Sequence, residues 1–332
     1  MPINVSTSLY NASSGCGYKD KVDFYMYPVA YSLFFIVGFP ANCLSLYVAC
    51  MLMQKGNNMA VYLVNLSVSD LLYTITLPVW IELALQRSVG DTLCTLINFI
   101  MYNSFYVGSG LLCCISVDRY LAVVFPLHYS WVHEVRIAAL VSLLVWLTEI
   151  LLHLALLAYT GDLQEFSVHR MCREKMPMSN ASAHMSIIRV VLGFFVPLLI
   201  MGFCFQQILL ALRGSVSTVA SERKKIRNLL LLLLLTYVVA FSPFQVIMLL
   251  RGLLEPENCD AAVKIRDYYM VCVAMTTINS VADPIIYCLM SESAKTEMKA
   301  VWHVWKKKFH EMFQLNKIRT VSSVSQSVSS VH

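Results

Sequence analysis

The sequence predicts an all-α membrane protein: a seven-transmembrane helix bundle with a short amphipathic eighth helix. Three observations lead there. Apolar residues make up 58% of the chain and charged residues 14%, against roughly 25% charged in an average soluble domain. The apolar residues fall in blocks long enough to cross a hydrocarbon core of about 30 Å, which takes about 20 residues of helix. Short polar segments separate the blocks, and their basic residues concentrate on one side.

The spans are expected near 26–52, 59–86, 94–126, 136–159, 183–213, 223–253 and 267–290. Inside lipid each backbone N–H and C=O needs a partner, and continuous apolar runs such as Leu229 to Leu235 satisfy theirs as helices. The chain thus divides into an outer N-terminus (1–24), the seven-helix domain (25–290) and an inner helix with a Ser-rich tail (291–332). With residue 1 outside, the cytoplasmic segments hold Lys55, Arg136, Arg213, Arg223, Lys224, Lys225, Arg227 and the basic tail. The outer cations are diluted by Asp20, Asp23, Asp91, Asp162, Glu165, Glu174, Glu255, Glu257 and Asp260, as the positive-inside rule requires. Residues 1–24 lack an apolar stretch, so the first helix is expected to be its own insertion signal. The expected location is the plasma membrane, multi-pass, with the N-terminus extracellular.

Asn4, Asn11 and Asn180 head sequons on the outer side and are the candidate glycosylation sites; Asn65 heads another, but mid-helix. The net charge of +5 reflects the cytoplasmic bias, so no nucleic-acid partner is expected. No HExxH, GxSxG or paired-aspartate motif occurs, and no enzyme is expected. A transporter or channel also uses buried carboxylates, but inverted repeats and broken midspan helices are not evident.

Of the cysteines, Cys43, Cys50, Cys113, Cys114, Cys204, Cys272 and Cys288 fall in apolar runs and suit packing. Cys16, Cys94, Cys172 and Cys259 lie at the oxidising outer face, where an even count suggests two disulfides among three possible pairings. The favoured set is Cys94–Cys172, pinning the second outer loop to the third helix, with Cys16–Cys259 tying the N-terminus to the third outer loop.

The third helix closes on Asp118-Arg119-Tyr120. An arginine at the inner end of a span is costly unless paired, and Asp118 is a natural partner. Pro243 and Pro284 interrupt the sixth and seventh spans, where each removes a backbone hydrogen bond and clashes with the preceding turn.

Taken in order, Asn42, LSVSD (66–70), Cys94, DRY (118–120), Trp146, Pro197, FSPF (241–244) and DPIIY (283–287) resemble the rhodopsin-like, G-protein-coupled receptors over residues 25–310. The resemblance implies an outer ligand pocket, helix movement on activation and a cytoplasmic cleft for a heterotrimeric G protein. It assigns Asp118, Arg119, Tyr120, Pro243, Pro284 and Tyr287 to the switch and coupling machinery. Phe241 stands where tryptophan is commoner, and Phe205 where many members carry a tyrosine that stabilises the active state. Asp70 and Asp283, with Asn279 and Ser280, resemble the family's sodium pocket; apart from that ion no cofactor is expected.

Within that family, GLLCCISVDRYLAVVFP (110–126), GFPANCLSLY (38–47), VADPIIYC (281–288) and SESA (291–294) look most like the proton-sensing and lysolipid-related branch. Glu149, Arg189, Arg251 and the His169-Arg170 pair match residues that branch carries. A carboxylate buried in low dielectric holds its proton more tightly, and Asp70, Glu149 and Asp283 are the in-span candidates for proton sensing. Two or three such groups could bias an equilibrium by several kcal/mol. His169 is a candidate outer sensor. Relatives in this branch carry histidines near the N-terminus and atop the sixth and seventh helices, where this chain has Asp20, Asp23, Gln245 and Met270. Two expectations stay open: a weakened or absent acid response, or acid sensing through the outer carboxylates Asp20, Asp23, Asp260 and Asp267.

Arg189 and Arg251 also suit the competing ligand, an anionic lysolipid or fatty acid. Tyr102, Phe105 and Tyr106, with Phe241 and Gln245, would line that ligand pocket, and Met101 in place of an aspartate argues against an amine ligand. On the inner side, residues 292–313 read as an amphipathic helix on membrane lipids, with Trp302, Trp305, Phe309 and Phe313 opposite Lys295, Lys299 and Lys306–Lys308. The tail RTVSSVSQSVSSVH carries hydroxyls and no acid, which suits receptor kinases and, once phosphorylated, arrestin.

Overall fold

The computed structural model describes residues 16, 22–126, 134–160, 176–214 and 220–290, with 295–297, 299, 303 and 306. Among the described residues there is no strand, and seven helices are long and apolar enough to cross a membrane. They are α1 (Val22–Gln54), α2 (Met59–Ala84), α3 (Asp91–Val124), α4 (Val135–Thr160), α5, α6 (Ala220–Leu254) and α7 (Cys259–Met290). α5 runs through Asn180–Val190, a π turn at Val191–Phe195, and Val196–Gly214.

The apolar residues do two jobs. Leu199, Leu253, Ile36 and Leu151 face outward and are exposed, as a helix in lipid requires. The inward faces combine large apolar side chains with small and polar ones. Gly38 brings α1 against α7, where an added Cβ would lie 3.1 Å from Val281 Cγ2. Gly110 brings α3 against α4, where a Cβ would lie 2.9 Å from Val145 Cγ1.

Buried hydrogen bonds then tie helix to helix, since lipid offers no water to satisfy polar groups. Asn42 donates to the carbonyl of Ser280 (2.7 Å), Trp146 to Asn65 Oδ1 (3.1 Å), and Tyr73 shares a bond with Thr276 (2.8 Å). Ser67 donates to Ser45 at 2.9 Å.

α7 begins at Cys259, eight residues before the expected 267. Hydropathy cannot register these turns, because they carry Asp260, Lys264 and Arg266 and need no lipid. They are held instead by chemistry. Cys16 and Cys259 form a disulfide, and Arg266 Nη2 lies 2.6 Å from Asp23 Oδ2 at the start of α1. Tyr27 of α1 donates to the carbonyl of Met270 at 3.1 Å. The N-terminal ends of α1 and α7 are thus clamped together.

The chain divides into two compact units, Met1–Ile286 and Tyr287–His332. In the second, residues 295–297, 299, 303 and 306 are helical. The rest of the expected amphipathic helix, and the Ser-rich tail, lie outside the described residues.

Candidate functional site

In the half of the bundle that carries the start of α1, a buried ion pair joins α4 and α5. Arg189 Nη1 lies 2.6 Å from Glu149 Oε2. The arginine is 1% exposed, while the glutamate side chain is 17% exposed. α3 supplies the walls: the guanidinium lies 5.1 Å from the Tyr102 ring and 4.7 Å from the Tyr106 ring. Such a cation over two aromatic faces is attracted by their quadrupoles. Nε and Nη2 of Arg189 are buried without a hydrogen-bond partner among the described residues, as are both amide atoms of Gln245.

Beside the pair stands His153, one turn beyond Glu149 on α4. It is buried, stacked on Phe99 and against Tyr102, with Nδ1 2.7 Å from Asn103 Nδ2.

An aromatic column descends from there. Tyr106 meets Phe105 edge-on at 5.0 Å. Phe105 stacks on Phe241 (4.6 Å), Phe241 on Tyr237 (4.6 Å), and Tyr237 on Phe194 (5.7 Å). The column thus joins α3, α6 and the π turn of α5, and Phe241 precedes Pro243 by two residues. Tyr237 was not singled out in the sequence; its hydroxyl is 2.9 Å from Ser109 Oγ, and Ser109 donates to the carbonyl of Gly193 at 3.1 Å. Gly193 is required by that approach, because a Cβ there would lie 2.4 Å from Tyr106 Cε1.

Arg251 makes its ion pair at the C-terminal end of α6. Its Nε lies 2.5 Å from Glu255 Oε2 one turn along α6, and its guanidinium sits 4.1 Å from the Tyr269 ring. Glu255 is 0% exposed and accepts from the backbone N–H of Met178 at 3.1 Å. The sequence counted Glu255 only as outer negative charge. The i,i+4 spacing from Arg251 was the available signal.

Lower in the bundle Asp70, Asn279, Ser280 and Asp283 are all buried. Asn279 donates to Asp283 Oδ2 at 2.8 Å. Asp70 Oδ2, Asp283 Oδ1 and the side-chain oxygens of Asn279 and Asn42 find no donor among the described residues. A set of buried oxygens facing no donor suits a hard monovalent cation such as sodium, or shared protons.

Near the C-terminal end of α3 Asp118 forms an ion pair with Arg119 and accepts from Asn58 Nδ2 at 3.1 Å. Phe205 packs with Tyr120, Val123 and Val124 around Ile208, Leu212 and Leu230. Pro243 and Pro284 lie inside α6 and α7, and Tyr287 is helical.

Other expected residues divide by position. Cys16–Cys259 is formed, and Cys94 is disulfide-bonded, while Cys172 lies outside the described residues. His169, Asn4 and Asn11 also lie outside them. Asn180 is exposed at the start of α5, where its amide donates to Glu257 at 2.9 Å.

Residues 41–287 match the 7 transmembrane receptor (rhodopsin family) family. The chain is 34% identical to G-protein coupled receptor 68 of Mus musculus over 89% of its own length and 81% of that protein's. It is 33% identical to G-protein coupled receptor 65 of Homo sapiens, covering 87% of this chain and 88% of that one. Lysophosphatidic acid receptor 6 of Homo sapiens is 28% identical over 86% and 87% of the two chains. These relatives are receptors, and with the seven spans they make the chain a multi-pass membrane protein. This chain belongs to the rhodopsin family of seven-transmembrane, G-protein-coupled receptors.

Proposed function

We propose that the receptor senses extracellular acid at the plasma membrane and that the Glu149–Arg189 pair is its principal proton site. One observation carries this reading: a partly exposed carboxylate within a span holds the charge of an arginine that is 1% exposed. At neutral pH the pair ties α4 to α5 and keeps Arg189 over Tyr102 and Tyr106. A proton on Glu149 cancels the attraction and leaves a buried guanidinium whose other N–H groups already lack partners. An uncompensated buried charge is strongly unfavourable. An arrangement in which Arg189 regains partners or water is then favoured.

The aromatic column offers the mechanical link. Moving Arg189 releases Tyr106, and Tyr106 bears through Phe105 on Phe241, two residues from the bend at Pro243. A changed bend swings the inner half of α6 and opens the cleft beside Arg119 to a heterotrimeric G protein. Asp70 and Asp283 add a second set of carboxylates, which sodium occupies in the resting arrangement and protons in the active one.

Lysolipid or fatty-acid headgroup binding at Arg189 and Arg251 is less well supported. Each arginine faces a carboxylate of its own chain, at 2.6 and 2.5 Å. An anionic headgroup would have to displace it.

The remaining assignments are proposals on the same footing: N-terminus extracellular, glycans on Asn4, Asn11 and Asn180, and receptor kinases and arrestin on the tail. The test of function is second-messenger output in transfected cells as the medium is titrated from alkaline to acidic. The expected result is a rise with acid. In Glu149→Gln, which mimics the protonated carboxyl, the midpoint moves to higher pH or the response stays on. A flat wild-type response rejects the reading.

A further inference from the structure

Arg189 has an unused edge. A guanidinium presents its N–H donors as a planar fork, and Glu149 takes only Nη1, at 2.6 Å. Nε and Nη2 find no partner among the described residues, although the side chain is 1% exposed. Those two nitrogens share one edge of the plane and point an N–H each in the same direction, the geometry that grips an anion.

A second unsatisfied donor stands on α6. Gln245 is also 1% exposed, and its amide nitrogen and oxygen both lack partners among the described residues. Tyr106 of α3 joins the two: its ring lies 4.7 Å from the guanidinium, and its hydroxyl neighbours the Gln245 side chain. N–H groups buried this deeply cost free energy unless something meets them. Here one of the two side chains also carries a full positive charge.

The other titratable and charged groups around Arg189 add no counter-charge. Tyr102 and Tyr106 face it from α3, and His153 from α4, where the imidazole shares a hydrogen bond with Asn103 at 2.7 Å. Arg251 of α6 is turned to Glu255 and to Tyr269 of α7. Glu149 is thus the single carboxylate on Arg189 among the described residues.

We propose that the Nε–Nη2 edge of Arg189 and the amide of Gln245 hold a small monatomic anion, chloride, and that it binds more tightly once Glu149 takes a proton. One spherical acceptor can meet both parallel N–H groups, whereas each further oxygen of an oxyanion would need its own buried donor. Taking Glu149 as the proton site, as proposed above, its neutralisation strips Arg189 of its counter-charge, and the anion supplies another. Linkage is reciprocal, so chloride in turn favours protonation of Glu149. By giving Arg189 a partner where it stands, chloride also holds the protonated receptor in the arrangement described here and restrains activation.

The test uses the purified full-length receptor in choline salts at fixed ionic strength, so that sodium plays no part. Chloride is titrated against gluconate in neutral and in acidic medium, and the unfolding temperature gives its apparent affinity. Chloride is expected to raise that temperature, and its affinity to rise about tenfold on acidification, a coupling of ordinary size. Arg189→Lys keeps a cation for Glu149 but loses the fork, and should lose the chloride increment. Gln245→Leu leaves the ion pair intact and should weaken chloride by about tenfold, the worth of one hydrogen bond to a charge. Arg87→Gln, at an exposed cation elsewhere, should change nothing. In cells, exchanging medium chloride for gluconate should raise the ceiling of the acid response; a lower or unchanged ceiling overturns the restraining role. The site itself is overturned by equal unfolding temperatures in the two salts, by an increment that ignores pH, or by one that survives both Arg189→Lys and Gln245→Leu. Tighter binding of formate than of chloride overturns the monatomic assignment. An increment that grows with acid beside a flat second-messenger response would instead reject acid sensing and leave the anion site standing.

Discussion

Arg189 Nη1 and Glu149 Oε2 lie 2.6 Å apart and join α5 to α4 by an ion pair. Removing one partner of a buried pair costs about 3–5 kcal/mol, because the other charge is stranded. With Glu149 partly open, Glu149→Leu is expected at the lower end, about 3 kcal/mol. Combining it with Arg189→Met should restore much of the stability. Thermal unfolding of the two single variants and the double variant measures the coupling, and simple additivity would remove the pair from the account.

Gly193→Ala tests the contact between the π turn and α3. The new methyl would lie 2.4 Å from Tyr106 Cε1. Either the ring moves or α5 does, and overpacking of this kind costs about 1–3 kcal/mol. Because Tyr106 lies under Arg189, the variant should also shift the acid midpoint. Adding Tyr106→Leu should relieve the loss of stability, read by thermal unfolding, without restoring the midpoint.

The outer clamp makes a separate prediction. Cys259→Ser releases Cys16 and should cost about 2–5 kcal/mol. Asp23→Asn weakens the parallel link to Arg266 and should cost less. Both links fasten the beginning of α1 to the beginning of α7, so the double variant should lose less than the sum. Unfolding temperatures of purified receptor under non-oxidising, non-reducing conditions give the comparison.

Replacing sodium by choline tests the lower carboxylates. A ligand that binds only the folded state stabilises it in proportion to RT ln(1 + [L]/Kd). Sodium should therefore raise the unfolding temperature of the wild-type receptor, and Asp70→Asn should abolish the increment. An increment that persists in Asp70→Asn would place the ion elsewhere or nowhere.

The spans were legible because lipid imposes one rule, about 20 apolar residues, and residues such as Leu229 to Leu235 obey it. The start of α7 was not legible, since its first turns stand in water and are held by Cys259 and Arg266. Glu149 and Arg189 could be singled out as charges out of place in apolar runs. That they meet could not be read, because contact between α4 and α5 depends on helix rotation, which composition does not encode. Glu255 was hidden for the same reason: it looks like a loop acid until its burial is known. The column through Tyr237 has no sequence mark of its own, since any aromatic on α6 is equally apolar.

The most direct measurement is difference infrared spectroscopy of the purified receptor across an acid titration. A protonated-carboxyl band is expected to grow in step with activation and to be reduced in Glu149→Gln, with the remainder belonging to Asp70 and Asp283. A receptor that activates with acid while that band is absent, or is unchanged in Glu149→Gln, would contradict the assignment of Glu149.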